Sequence, residues 1–215
     1  VKVGQSVAAA TVKVNFSAMK ADVASGDAER FQTSKNIVGD GECGYGVEEF
    51  NVTVNTNVEH GTYNSNITVG SQNIPVKVVI GKLPAPKVTA AATGRSTVNV
   101  QWNKVENATG YKLTCAATGK EVTIPDDGSE QYSYDVTELE ECTEYTFTVT
   151  TMYNASENES ADASARTYST IKIEAAGDAI GSTSWALKCV EGRWNEAENS
   201  FEVGSLVEIT AYNTD

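Results

Sequence analysis

The sequence predicts an all-β protein of tandem β-sandwiches with a short β module at its carboxyl end. Apolar and polar residues alternate along much of the 215-residue chain, and this alternation is typical of half-buried strands. The stretches between these runs, such as GDGECGYG, EHGT and GSQN, are rich in turn-forming residues. Only residues 19–32 could form a helix of any length, and the pattern does not favour one there.

Four alternating runs define the first part of the chain. Their apolar faces carry Val12, Val14 and Phe16; Phe50, Val52 and Val54; Tyr63, Ile67 and Val69; and Ile74, Val76, Val78 and Ile80. Strands of this kind, joined by glycine-rich turns, predict an antiparallel sandwich of two sheets. The chain starts inside an apparent strand, so we expect it to belong to a longer protein.

Two changes in the pattern suggest domain boundaries. Pro84 and Pro86 stand in GKLPAPKV and favour an extended linker at about residue 83. A new alternating run, TIKIEA, begins after Ser169. We therefore expect domains at residues 1–82, 83–168 and 169–215. The last is too short to bury a stable core alone.

Composition excludes several classes of partner. The chain carries 16 basic and 29 acidic residues, a net charge of −13, which repels phosphate backbones and anionic membranes. Because of this charge we expect no nucleic-acid partner. No run of eighteen apolar residues is present, so we also expect no membrane insertion. The single histidine excludes multi-histidine metal sites. The sequence predicts no oligomeric state.

Candidate catalytic groups are few. Neighbouring carboxylates occur as Glu48 and Glu49, Asp126 and Asp127, and Glu140 and Glu141. Neighbours point to opposite faces of a strand, whereas paired acid–base catalysis needs two carboxylates on one side, about 5 to 10 Å apart. His60 lies at a predicted hairpin tip, and the loop at 126–130 lacks the ligand spacing of a calcium loop. We therefore expect no catalytic, cofactor or metal site, and no enzyme activity.

Three aromatic residues near the carboxyl end are the candidate ligand-binding groups. The flat rings of Trp185, Trp194 and Tyr212 could stack on the apolar faces of sugars. Rings of this size also fill the core of a small module. We favour the core interpretation, because a spacing of nine between the tryptophans indicates neither role.

Residues 85–168 carry the motifs of a known family. TVNVQWNKVENATGYKL places Trp102 and Tyr111 on consecutive strands, and LEECTEYTFTVTT places Leu139 six residues before Tyr145. This segment resembles a fibronectin type III domain, which implies a seven-stranded sandwich. The resemblance implies that Trp102 fills the space between the sheets and that the Tyr145 hydroxyl bonds the preceding loop. Glu140 and Glu141 stand where the family has proline and glycine.

The four cysteines are Cys43, Cys115, Cys142 and Cys189, and no CxxC pair occurs, which disfavours a zinc site. The spacing of the cysteines alone does not decide between disulfides and free thiols. The resemblance places Cys115 at the end of the third strand and Cys142 just before the sixth, so we predict a disulfide between them. The alternative is two buried thiols. We expect no bond between Cys43 and Cys189.

The flanking segments resemble two other families. Residues 1–82, with GTYNSNITV followed by NIPVKVVI, resemble a bacterial Hydin-like immunoglobulin-type module. Residues 169–215 resemble an internalin-type B repeat, with matches at Gly204, Val207, Ile209, Thr210 and Ala211. That repeat is either truncated at Asp215 or is a short strand pair that leans on its neighbour. The combination is typical of secreted and surface proteins of gut bacteria.

These observations predict a non-catalytic, modular fragment of a secreted or cell-surface bacterial protein. Its expected role is adhesion, binding or spacing, with a protein or glycan partner at the cell surface. Two alternatives stay open. One is an accessory region of a large extracellular enzyme, such as a glycoside hydrolase or protease, and the other is a carbohydrate-binding unit.

Overall fold

The computed structural model of the protein describes residues 1–16, 20–39, 45–171 and 183–213. These residues form strands, turns and loops. Within these ranges there is no helix with the length and apolar character needed to cross a membrane. The predicted all-β class is confirmed. Residues 19–32, the one stretch that could have been helical, contain two strands in their described part.

The chain forms two compact units. The first consists of Val1–Leu83 with Tyr153–Asn158, and the second of Pro84–Met152 with Glu159–Asp215. The segment predicted as a third domain, 169–215, lies within the second unit.

The first unit is a sandwich of a three-stranded and a four-stranded antiparallel sheet. Its strands are β1 (Ala10–Phe16), β2 (Ala21–Ser25), β3 (Phe31–Thr33), β4 (Ile37–Val38), β5 (Gly46–Val54), β6 (Gly61–Val69) and β7 (Gln72–Ile80). One sheet has the order β1, β5, β3 and the other the order β4, β2, β6, β7. Every neighbouring pair is antiparallel.

The core of this unit contains the apolar faces that the alternation predicts. Its buried members are Val23, Phe31, Val38, Phe50, Val52, Ile67 and Val69. Further members of the predicted faces, among them Val12, Tyr63 and Val76, pack against this core. The predicted faces of β5, β6 and β7 are therefore confirmed.

The second unit begins with another sandwich of three and four strands. Its strands are β8 (Val88–Ala92), β9 (Val98–Asn103), β10 (Gly110–Cys115), β11 (Lys120–Pro125), β12 (Gln131–Val136), β13 (Glu144–Tyr153) and β14 (Ser156–Arg166). The last residue of β13 and the first three of β14 are counted with the first unit. The sheets have the orders β12, β9, β8 and β11, β10, β13, β14.

Trp102 lies at the centre of this sandwich, with 2% of its surface exposed. Its ring is stacked on Tyr132, with centroids 5.9 Å apart, and contacts Tyr111 edge-on at 5.7 Å. The Tyr111 hydroxyl accepts a hydrogen bond from the Val105 N–H at 2.7 Å, and the Tyr132 hydroxyl donates to Asp126. Both tyrosine hydroxyls therefore have a hydrogen-bond partner, while their rings pack against the indole of Trp102.

Burial raises the pKa of the Tyr111 and Tyr132 hydroxyls above the ordinary 10.0, and the nearby Asp126 carboxylate raises the pKa of Tyr132 further. The folded state therefore favours the neutral phenols, and their stabilising contribution is complete below pH 10.0. It is lost as the pH rises through the folded-state pKa. We expect an absorbance titration of the nine tyrosines to show a group that ionises only with unfolding. A single transition at the ordinary pKa in folded protein would contradict this.

The turn before β13 is closed by the predicted tyrosine contact. The Tyr145 hydroxyl accepts a hydrogen bond from the Glu140 N–H at 2.9 Å, and the buried Leu139 donates its N–H to the Ser96 carbonyl at 3.0 Å. Cys142 has a φ of 54°. The left-handed position that favours glycine is therefore at Cys142, one residue after Glu141, where the resemblance placed the family's glycine.

We expect Tyr145→Phe to destabilise this sandwich by about 1 to 2 kcal/mol, because the Glu140 N–H would lose its acceptor in a partly buried turn. Equilibrium urea unfolding measures the change. Thr123→Val, on the exposed face of β11, is the control for loss of a hydroxyl. Equal midpoints for Tyr145→Phe and wild type would show that the bond contributes nothing.

The described remainder of the second unit contains five further strands. They are β15 (Ser169–Thr170), β16 (Thr183–Glu191), β17 (Trp194–Asn195), β18 (Ser200–Phe201) and β19 (Leu206–Asn213). β16 and β19 form a two-stranded antiparallel sheet with an irregularity between Cys189 and Glu191. β15, β18 and β17 form a separate three-stranded sheet.

Candidate binding surface on the second unit

The hairpin of β17 and β18 carries the polar side chains that fasten it to the preceding sandwich. The Asn195 Nδ2 group donates to the Thr93 carbonyl at 2.9 Å. Glu198 Oε2 accepts the Arg95 N–H at 2.8 Å and the Ser200 hydroxyl at 3.3 Å. Asn195 Oδ1 also accepts the Glu198 N–H at 3.3 Å, which orders the two side chains within one turn.

Gly94 makes this close approach feasible. A Cβ at this position would lie 2.4 Å from Glu198 Oε2 and 3.1 Å from Asn195 Nδ2. The Glu198 carboxylate could move away only by giving up its bonds to Arg95 and Ser200. The contact therefore requires a residue without a side chain at position 94.

A short β-ladder adds to this attachment. Ser169 and Thr170 pair with Phe201 and Ser200. Just before them, the Tyr168 N–H donates to the Gly94 carbonyl at 3.0 Å. Burial raises the pKa of the Tyr168 hydroxyl, and the nearby Glu202 carboxylate raises it further, whereas Arg193 lowers it.

Of the three candidate ligand-binding aromatics, Trp194 has a described side chain. Its ring lies parallel to Phe201, with centroids 5.7 Å apart and an interplanar angle of 7°. Phe201 is buried, whereas 36% of the surface of Trp194 is exposed. Trp194 is thus an exposed aromatic surface supported from behind by a core residue.

The other two predicted aromatics lie on a different sheet. Trp185 on β16 pairs with Ala211, and Tyr212 on β19 pairs with Ser184. Their side chains lie outside the described residues. The choice between core filling, which the sequence favours, and a platform of three rings is therefore not tested for Trp185 and Tyr212.

A polar groove of about 470 Å³ lies between the sandwich and this hairpin. It is lined by Ala90, Ala91, Ala92, Ser164, Ala165, Arg166, Arg193, Glu202 and Val203. Arg193 directly precedes Trp194, and the Arg193 carbonyl accepts the Glu202 N–H at 2.9 Å. The charged residues that line this groove are Arg166, Arg193 and Glu202. The Arg166 guanidinium forms an ion pair with the Glu144 carboxylate at 3.3 Å.

Comparison with known proteins identifies the sandwich. The fibronectin type III domain family matches residues 84–166. These residues form a fibronectin type III domain. The match confirms the predicted family for this segment, while the resemblances of the two flanking segments stay predictions. A search of curated proteins gave no match.

A search of solved structures found similar chains at low sequence identity. FN3tt mut is 16% identical, covers 40% of this chain and 96% of its own, and has a TM-score of 0.34. The chicken CNTN1 FN1–FN3 domains are 16% identical. The match covers 73% of this chain and 62% of the CNTN1 chain, with a TM-score of 0.34. Domains 5–6 of the S-layer protein SbsC are 17% identical. The match covers 78% of this chain and 92% of the SbsC chain, with a TM-score of 0.23.

The predicted disulfide of the fibronectin type III domain is not formed. Cys115 is a buried free thiol at the end of β10, and Cys142 is an exposed free thiol in the turn before β13. Thr114 pairs with Thr148, so Cys142 lies five residues beyond the position opposite Cys115. At roughly 3.3 Å per residue that separation exceeds the reach of a disulfide. Both thiols lie at one end of the sheet, as the resemblance implied, but this register keeps them too far apart to bond. Cys189 is also a free thiol, and Cys43 lies outside the described residues.

The paired carboxylates bond to turns and neighbouring lysines. Asp127 accepts the Ser129 N–H at 2.9 Å, which lowers the pKa of Asp127. Glu48 accepts the Gly39 N–H at 2.8 Å, and Glu49 pairs with Lys13. In the described part of the chain, no three His, Cys, Asp or Glu side chains are grouped as metal ligands.

Sequence reasoning missed the Asn195–Glu198–Gly94 contact. Asn195 and Glu198 are three residues apart in NEAEN, a spacing that suits a turn. Nothing in the sequence pairs that turn with TGRS, about a hundred residues earlier. A glycine in such a segment is typical of a turn, and the steric role of Gly94 follows only from the structure.

Gly94→Ala should loosen the hairpin, because its methyl group displaces the Glu198 carboxylate from the Arg95 N–H. We expect a loss of about 1 to 3 kcal/mol in the unfolding free energy of the second unit, as for a hydrogen bond to a charged group. Hydrogen exchange of the Arg95 amide measures it directly. Gly119→Ala is the matched control, because an added Cβ there meets no atom within 4 Å. Unchanged protection of Arg95 would contradict this role for Gly94.

Proposed function

We propose that the chain is a non-catalytic modular region of a secreted or cell-surface bacterial protein, in which the second unit spaces and presents a neighbouring domain. The observation that carries this proposal is the attachment of the β17–β18 hairpin to the fibronectin type III domain. Asn195 and Glu198 bond two backbone groups of the sandwich, at Thr93 and Arg95. A spacer needs this property, because a segment held in one position transmits the placement of whatever it carries.

The chemistry of the described side chains supports a role without catalysis. The carboxylates of the 126–130 loop bond to backbone N–H groups and to a phenol. His60 Nδ1 lies 3.2 Å from the Ser156 hydroxyl within the first unit. A screen of ester, glycoside and peptide substrates tests this part. Turnover abolished by one carboxylate substitution would refute it.

The spacing role is tested by a distance measurement within the second unit. Spin labels at Thr123→Cys and Val203→Cys, with the native cysteines replaced by serine, report the separation of the sandwich and the hairpin. Both positions are exposed. We expect a narrow distance distribution that broadens in Glu198→Ala and not in Glu196→Ala. A broad distribution in the protein without the Glu198 change would contradict a spacer.

A second candidate function is carbohydrate binding, which the exposed ring of Trp194 favours. Aromatic faces stack on the apolar faces of pyranose rings, and Phe201 holds this ring in place. A glycan array probed with the whole chain is the test. Retention of one polysaccharide that is lost in Trp194→Ala, kept in Trp194→Phe and unaffected by Leu206→Ala supports it. Absence of retention excludes it.

A further inference from the structure

Two arginines and one glutamate line the polar groove between the fibronectin type III domain and the β17–β18 hairpin. Arg166 ends β14, whereas Arg193 and Glu202 lie side by side on the hairpin, where the Glu202 N–H donates to the Arg193 carbonyl at 2.9 Å. Burial raises the pKa of the Tyr168 hydroxyl, Glu202 raises it further and Arg193 lowers it, so these polar groups lie together. In a chain with a net charge of −13, the groove is therefore a local excess of positive charge.

Both guanidinium groups are available to a ligand. Arg166 pairs with Glu144 at 3.3 Å, but the two side chains are 48% and 60% exposed, so solvent weakens this pair. In the part of the chain that the structure describes, Arg193 forms no ion pair. A guanidinium carries its N–H donors in a planar fork that matches the two oxygens of a carboxylate. The groove can therefore accept a carboxylate from outside the chain.

The walls of the groove consist of small side chains and strand edges. Residues 90–92 of β8 and Ala165 of β14 line it with methyl groups and leave a volume of about 470 Å³, which is in the range of small-ligand sites. Among the described residues, β8 pairs with β9 alone, and β14 is an outer strand of its sheet. Edge strands present unpaired N–H and C=O groups on their outer side. A ligand with several hydroxyl groups could bond to them.

The groove and the Trp194 ring lie on opposite faces of the hairpin. Trp194 pairs with Phe201, and Arg193 and Glu202 are opposite each other one position along the two strands. Neighbouring residues of a strand point to opposite faces, so the side chains that line the groove are on the face away from the Trp194 ring. A ligand in the groove would therefore not depend on Trp194.

We propose that this groove binds an acidic sugar, a pyranose that carries one carboxylate, with the carboxylate between Arg166 and Arg193. The Glu202 carboxylate and the edge-strand carbonyls accept hydrogen bonds from the hydroxyls of the sugar. The mixture of charges selects this class of ligand. Glu202 and the net charge of −13 repel a polyacidic peptide, and a neutral sugar leaves both guanidinium groups without a partner. This site is additional to the spacer role and independent of sugar binding at Trp194.

The probe is methyl galactopyranosiduronate, and its binding to the isotope-labelled whole chain is followed by NMR shifts of the Arg193 and Glu202 amides. We expect saturable binding with a dissociation constant on the order of 1 mM, and no binding of the neutral methyl galactopyranoside. Arg193→Gln should weaken binding at least about tenfold, because the carboxylate loses charge-assisted hydrogen bonds. Arg95→Gln is the matched control and should bind within about twofold, because it removes the same charge from an exposed residue outside the groove.

Further variants keep the proposal testable if Arg193→Gln alters the hairpin, which protection of the Arg95 amide would reveal. Glu144→Gln releases the Arg166 guanidinium from its ion pair and should tighten binding by about two- to fivefold. Trp194→Ala should leave binding unchanged. Loss of binding in Trp194→Ala but not in Arg193→Gln would overturn the proposal and assign the sugar to the exposed ring.

Two other anions test the ligand class. Acetate tests for a general anion site, and a hexaglutamate peptide tests for an acidic peptide site. We expect both to bind at least about tenfold more weakly than the acidic sugar, because neither offers the hydroxyls of a pyranose to Glu202 and the strand edges. Equal binding by either one, or no shift with about 10 mM acidic sugar, would overturn the proposal.

Discussion

Replacing Trp102 by alanine is expected to lower the free energy of unfolding of the fibronectin type III domain by about 3 to 5 kcal/mol, the usual cost of emptying a buried aromatic site. Tyr111 and Tyr132 contact the indole on two sides and would face a cavity. Their hydroxyls are held by Val105 and Asp126, so the rings cannot move in to fill it. A domain of this size has about 5 to 15 kcal/mol of stability, so the loss is a large fraction of it.

Urea unfolding followed by circular dichroism measures this loss independently of the fluorophore that is removed. Tyr134→Ala is the control, because Tyr134 lies two residues from Tyr132 on the same strand with 36% of its surface exposed. We expect its midpoint to fall by much less than that of Trp102→Ala, because Tyr134 is only partly buried. A Trp102→Ala midpoint equal to that of Tyr134→Ala would show that Trp102 is not a core residue.

Phe201→Ala is expected to have the second largest effect, a loss of about 3 kcal/mol from emptying a buried phenylalanine site. Phe201 has 3% of its surface exposed, pairs with both Ser169 and Trp194, and supports the Trp194 ring. Phe201 thus adds a large buried side chain to the hydrogen bonds that Asn195 and Glu198 make with the sandwich. The fibronectin type III domain has its own core around Trp102 and should stay folded.

Native-state hydrogen exchange distinguishes loss of the hairpin from unfolding of the fibronectin type III domain. In Phe201→Ala the Arg95 and Glu202 amides should lose protection, while amides of β9 and β10 keep it. Leu206→Ala is the control, since 56% of the Leu206 surface is exposed. A chain that ends at Tyr168 should retain the cooperative unfolding of the domain, and isolated residues 169–215 should show no protection. Full protection of the isolated segment would mean that it folds alone.

The sequence could predict those features that depend on local periodicity. The apolar faces of β5, β6 and β7 follow from alternation, and the place of Trp102 follows from a family motif. Residues 19–32 were harder, because a turn interrupts the strand pattern there. Phe31 donates its N–H to the Asp27 carbonyl at 2.8 Å and returns the chain to the core at β3. Only burial against the other sheet decides between helix and strand for so short a stretch.

The features that could not be predicted depend on register or on distant contacts. A disulfide between Cys115 and Cys142 is consistent with neighbouring strands and fails only when β10 and β13 are aligned residue by residue. The Glu198 contact with Arg95 joins groups 103 residues apart. Neither a period nor a motif encodes such a pair, because each partner is an ordinary turn residue in its own segment.

The backbone bonds around Tyr168 have a mechanical consequence. The Tyr168 N–H is bonded to Gly94 and its carbonyl to Cys142, while Thr167 is bonded to Thr143 through main chain and side chain. Tension applied at Ser169 and Thr170 would therefore reach the sandwich at a clamped site. The rupture force is then set by the Thr167–Tyr168 clamp and the β15–β18 ladder together. Under load, the segment and the sandwich would part in one step.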